Sequence, residues 1–143
     1  MIMTKEIFIH AAVEPPYGGN VAITWKIDGK INCLYAKDHS ITTKRADYQA
    51  AIAAILELQA SPDDIILYSC NSEFVRDFSG IQVPDQSVNE YAQLMRIALK
   101  RGFKSFEVKK IAIADITDIR NTSFQILKNN DVKIPKKRQA DIV

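Results

Sequence analysis

Cysteine, histidine and tryptophan are scarce in this chain, with two, two and one among 143 residues. Cys33 and Cys70 lack CxxC spacing, which argues against a disulfide framework or a zinc ribbon, and both are expected to be buried thiols. Long hydrophobic runs are missing too. None approaches the roughly 18 residues that a bilayer requires, and the opening MIMTKEIFIHAAVEPP has neither a clear apolar signal region nor a small-residue cleavage site. The expectation is a soluble, unexported, cytoplasmic chain with no membrane partner. Nor is there a surplus of one charge: 19 basic and 17 acidic residues leave a formal +2, so any nucleic-acid surface must come from local clustering.

What the chain does have is a hydrophobic content of 47%, enough to give one domain of this length an ordinary core. KEIFIHAAV (5–13) reads as a strand buried on both faces, and EPPYGGN as a turn-forming loop. VAITWKIDGKINCLYAKDH gives two strands around Asp28-Gly29, a dipeptide suited to a tight hairpin turn because glycine accepts positive φ. From Lys44 the period changes to that of an amphipathic helix, with Tyr48, Ala51, Ile52, Ile55 and Gln59 one turn apart. SPDD ends it, and IILYSC follows as an interior parallel strand. A short helix at 72–78 leads to a loop through SGIQVPDQS. A longer helix then shows Val88, Tyr91, Ala92, Met95 and Leu99 on one face and ends at Gly102. SFEVKKI makes a fifth strand, and a last helix at about 117–129 puts Ile119, Ser123, Ile126 and Leu127 on one side. The expected domain is 1–130. Residues 131–143, with Lys136, Lys137 and Arg138, form a polar basic tail.

The order βββαβααβα, with TTKRADYQAAIAAILELQ, ILYSCNSEFV and SVNEYAQLMRIALKRGFKSFEVKKI, resembles type 1 ribonuclease H and the wider ribonuclease H-like superfamily over residues 5 to about 129. The resemblance implies an α/β fold: a five-stranded mixed sheet, three antiparallel strands and then parallel ones, flanked by helices. Enzymes of this family cleave the RNA strand of RNA/DNA hybrids with two divalent ions held by four carboxylates. Carried over position by position, the first carboxylate falls on His10, the second on Asp47, the third on Asn71 beside Cys70, and the fourth on Gln125. One carboxylate of four remains. Two dications about 4 Å apart repel and need several negative groups around them, so two-metal cleavage is expected to be absent. The basic handle of some members and the histidine before the last helix are also missing.

Three functions follow. The first is a catalytically degenerate domain, a pseudoenzyme, that still binds nucleic acid, an RNA/DNA hybrid or duplex, through Thr42, Thr43, Lys44 and Arg45. The second is a protein-interaction or structural module on the same fold. The third is an active ribonuclease whose site is rebuilt around Asp47, Asp115 and Asp118 with Mg²⁺ or Mn²⁺; otherwise no cofactor is expected. His10, Asp47 and Cys70 together have the donor chemistry of a Zn²⁺ site, although a histidine on an interior strand is more often a hydrogen-bonded core residue. Asp115 and Asp118 likewise suit a helix start without any metal. Tyr17, Trp25 and Tyr35 near the hairpin are base-stacking residues if exposed and sheet cover if not.

Overall fold

The computed structural model describes residues 3–14, 19–38, 41–79 and 88–130. Strands β1 (Thr4–Glu14), β2 (Asn20–Ile27) and β3 (Lys30–Ala36) form an antiparallel meander. Its tight turn is the one expected, since both Asp28 (φ 52°) and Gly29 (φ 79°) are left-handed, as a two-residue hairpin loop of the favoured hand requires. Helix α1 (Thr43–Glu57) returns the chain to β4 (Asp64–Ser69), which pairs parallel to β1. After α2 (Ser72–Arg76) and α3 (Val88–Lys100), β5 (Ser105–Lys110) pairs parallel to β4. A 3₁₀ turn at Ile113–Ile116 enters α4 (Thr117–Asn129). The sheet order is β3-β2-β1-β4-β5, the mixed five-stranded arrangement that the resemblance implies.

Alternation along β1 and β2 divides the interior in two. Ile7, Ile9, Ala11 and Val13, with Val21, Ile23, Trp25 and Ile27, face the large core beneath α1 and α3. Ala12 and Ala22 face the other way and pack under Phe124 and Leu127 of α4. β1 is covered on both sides, and every residue from Ile9 to Glu14 is buried.

Three expectations need correction. α1 buries Lys44, Ala46, Asp47, Tyr48, Ala50, Ala51, Ala54 and Ile55, an arc of about 200° that is broader than the expected stripe, and its alanines permit this close packing. The inward face of α3 is turned from the one expected: Leu94 and Ala98 are buried, whereas Leu99 is 81% exposed. Cys33 is exposed because β3 is an edge strand, so only Cys70 is partly buried. Trp25 is sheet cover, and Tyr35 is half-buried with its hydroxyl donating to Asn20 Oδ1 at 2.5 Å. Tyr17 and the 131–143 tail lie outside the described residues. No helix among the described residues is long and apolar enough to cross a membrane.

Candidate functional site

The start of α1 holds the four residues expected to meet nucleic acid, and most of their polar capacity is spent internally. Thr42 Oγ1 caps the helix by accepting from Arg45 N at 3.2 Å. Lys44 is buried, its Nζ 2.9 Å from Asp77 Oδ2, and Tyr48 donates its hydroxyl to the same oxygen at 2.5 Å. Arg45 directs Nε and one terminal nitrogen at Glu90 Oε1, at 2.7 and 2.6 Å. Lys44 and Arg45 therefore tie α1 to α2 and α3. Of the four, only Thr43 lines the neighbouring cleft.

That cleft lies at the carboxyl end of β4, where β1 runs on past its pairing with that strand. Two residues beyond the paired Phe8 and Tyr68 stand His10, within β1, and Cys70, just past the end of β4. β1 alternation aims His10 to the α4 side, next to its cross-strand partner Thr24. Ser123 Oγ lies 2.9 Å from His10 Nδ1 and 2.7 Å from Thr24 Oγ1, and all three residues are buried. This network anchors the imidazole in the wall, as the bland reading of a core histidine anticipates, yet His10 also lines the cleft.

Asn71 is held from two directions. Its Oδ1 accepts from Glu73 N and Phe74 N at 3.0 and 3.3 Å, capping α2, and its backbone N donates to Ser69 Oγ at 3.0 Å. With the carbonyl oxygen used in the cap, the amide NH₂ is the group that reaches Asp47. Asp47 is 3% exposed. Burial pushes its carboxyl up to about 8, against the opposing hydrogen bonds of Asn71 and Ser69. At neutral pH it is mostly the uncharged acid. The Cys70 thiol is also raised, first by burial and then by Asp47, with Lys110 and Arg120 pulling the other way. Asp47 ionises before such a thiol does, so the two effects are consistent.

Gln125 does not reach the cleft. It is exposed and donates its amide to Asn129 Oδ1 at 2.9 Å. With about 100° per residue it stands about 200° around the helix from Ser123, which faces the sheet. Arg120 and Phe124, one turn apart, line the cleft instead. The sequence contained this signal: once Ile119 and Ser123 are placed inward, residue 120 falls beside them and residue 125 opposite.

The cleft encloses about 280 Å³ and is lined by His10, Ala11, Thr43, Cys70, Asn71, Ile113, Arg120 and Phe124. None of these is a carboxylate. Asp118, offered as a relocated acid, is held by Lys26 Nζ at 2.6 Å, and that bond, more than any other influence, lowers its carboxyl. Asp115 is exposed on the 3₁₀ turn. No group of three or more His, Cys, Asp or Glu side chains among the described residues is arranged to hold a metal ion. Neither the His10, Asp47, Cys70 set nor the Asp47, Asp115, Asp118 set converges. The donors present therefore do not fit a pair of Mg²⁺ or Mn²⁺ ions, which require several ionised oxygens.

No family model matches the chain, and no curated protein matches its sequence. Among solved structures, LC11-RNase H1, isolated from compost by a metagenomic approach, is similar with a TM-score of 0.73 at 15% identity, covering 90% of this chain and 99% of that one. LC11-RNase H1 in complex with RNA/DNA hybrid gives 0.63 at 19%, covering 75% and 84%. The RNase H1 of the halophilic archaeon Halobacterium salinarum gives 0.62 at 18%, covering 88% and 98%. At these identities the likeness establishes the fold alone: the chain has the ribonuclease H-like α/β fold.

Proposed function

We propose that the chain is a nucleic-acid-binding pseudoenzyme of ribonuclease H type, which takes an RNA/DNA hybrid or duplex without two-metal cleavage. The observation that carries this reading is the lining of the cleft: a guanidinium, an imidazole, an amide, a hydroxyl and a thiol, with no carboxylate among them. Such a lining offers Mg²⁺ or Mn²⁺ no carboxylate oxygen, while its amide and hydroxyl are donors that suit phosphate and sugar oxygens. A structural neighbour in complex with an RNA/DNA hybrid supports the choice of ligand. The domain is taken as 1–130 with a basic tail, in the cytoplasm.

The internal pairing of Lys44 and Arg45 favours the second reading, a protein-interaction module, because it removes the two charges that were expected to meet phosphate. One titration separates them. Labelled hybrid is titrated with the protein at rising salt, with Mg²⁺ and then Mn²⁺ present, and binding and strand integrity are read from the same samples. Binding that weakens steeply with salt while the RNA strand stays intact is expected. Absence of binding at low salt favours a protein partner, and metal-dependent cleavage overturns the pseudoenzyme assignment.

A further inference from the structure

We infer that β3 is a docking edge for a second copy of this chain, the two β3 strands pairing antiparallel about a two-fold axis at Cys33 so that the sheets of two protomers join into one. The edge is separated from the cleft strand β1 by β2. It is independent of the nucleic-acid reading.

β3 has a neighbouring strand on one side only. The two-residue turn makes Ile27 and Lys30 the pair that exchanges both backbone hydrogen bonds. Alternation from there aims the N–H and C=O of Asn32, Leu34 and Ala36 at β2, and those of Ile31, Cys33 and Tyr35 out of the sheet. The usual protections of such an edge are missing. INCLYA (31–36) carries no charge, proline or glycine, its register with β2 runs without a bulge, and Leu34 is 55% exposed. The opposite edge of the sheet supplies the contrast, because β5 sets the exposed Glu107, Lys109 and Lys110 along its length. One edge is guarded and the other is open.

A second β3 suits this edge because the edge is self-complementary. With Cys33 on the axis, Ile31 lies opposite the copy's Tyr35 and Tyr35 opposite the copy's Ile31, so every outward N–H and C=O of the strand meets a match. The same register sets an aliphatic side chain beside an aromatic ring twice on the α4 side of the sheet, a stabilising cross-strand pair. On the other face, the exposed Leu34 lies opposite the copy's Asn32. Asn32 Nδ2 is buried without a hydrogen-bond partner in the single chain. Its counterpart in the copy stands diagonally across on that face and brings an amide oxygen within side-chain reach. Charge permits the approach: within the paired strands Lys30 falls opposite the copy's Ala36, and a formal +2 on each chain gives little long-range repulsion.

The test is sedimentation of the full chain in reductant, without nucleic acid, at concentrations up to about 1 mM, where even a dimer with a Kd of that order is visible. The parent should convert from monomer to dimer as concentration rises, and no further. Cys33→Lys places like charges on the axis and should raise the dimer Kd roughly tenfold or more. Leu34→Lys, beside the axis on the other face, should act likewise. Cys33→Ser, and Lys109→Gln on β5, should sediment as the parent does. All of these positions are exposed, and circular dichroism of each variant separates lost association from lost fold. A short bismaleimide should link parent protomers into a covalent dimer and fail with Cys33→Ser, in which Cys70 remains. A parent that stays monomeric throughout, a dimer indifferent to both lysine variants, or a covalent dimer that persists in Cys33→Ser would each overturn the assignment. A ladder of higher oligomers would do the same, because the two-fold pair uses up the open edge of both copies.

Discussion

Single residues decide the chemistry, and Asp47 is the clearest case. Its carboxyl is raised from 3.8 to about 8, so between those values the folded protein keeps a proton that the unfolded chain releases. The unfolded state then binds fewer protons, and stability falls as pH climbs from about 4 to about 8, by up to about 1.4 kcal/mol per pH unit. Asp47→Asn mimics the protonated acid and should lose this slope, which urea denaturation of both proteins at pH 5, 6 and 7 will read. Parallel pH dependence in parent and variant would show that Asp47 is ionised in the folded state. The sequence revealed that one carboxylate remained, and not that its carboxyl is raised. That follows from burial between α1 and the end of β4, a property of packing. Arg120 was missed for a related reason, because α4 was aligned on a family position and not on its own inward stripe of Ile119 and Ser123.

Elements show where local signals suffice. The Asp28-Gly29 turn and the Gly102 helix end (φ 73°) were legible because each depends on a backbone conformation that few residues adopt. The face of α3 and the role of the α1 start were not, because both depend on partners distant in sequence. Lys44 looks like a surface cation in sequence, yet Asp77 and Tyr48 enclose it. Lys44→Met should leave the Asp77 carboxylate buried without its cation and cost about 3 kcal/mol or more in chemical denaturation. A loss below about 0.5 kcal/mol would return Lys44 to the surface and to the list of phosphate contacts. Charge reversal there would disturb folding before it tested binding.

At the scale of the molecule, the antiparallel meander, the two-sided burial of β1 and the range of the last helix were readable from apolar periodicity and turn residues, whereas the mixed sheet was implied by the family resemblance and its strand order is supplied by the structure. The sign of charge in the cleft was half readable. Three acids were missing from the sequence, but the guanidinium that stands in the same space emerges only when β1, β4 and α4 are brought together. The central claim is that this cleft is not built for a pair of divalent cations. Titration of ¹⁵N-labelled protein with Mn²⁺, whose unpaired electrons broaden nearby signals, tests it most directly. The account predicts no selective broadening of Thr43, Asp47, Asn71 or Arg120 at millimolar Mn²⁺. Selective loss of those signals at lower concentrations would contradict it and return the domain to the metal-dependent nucleases.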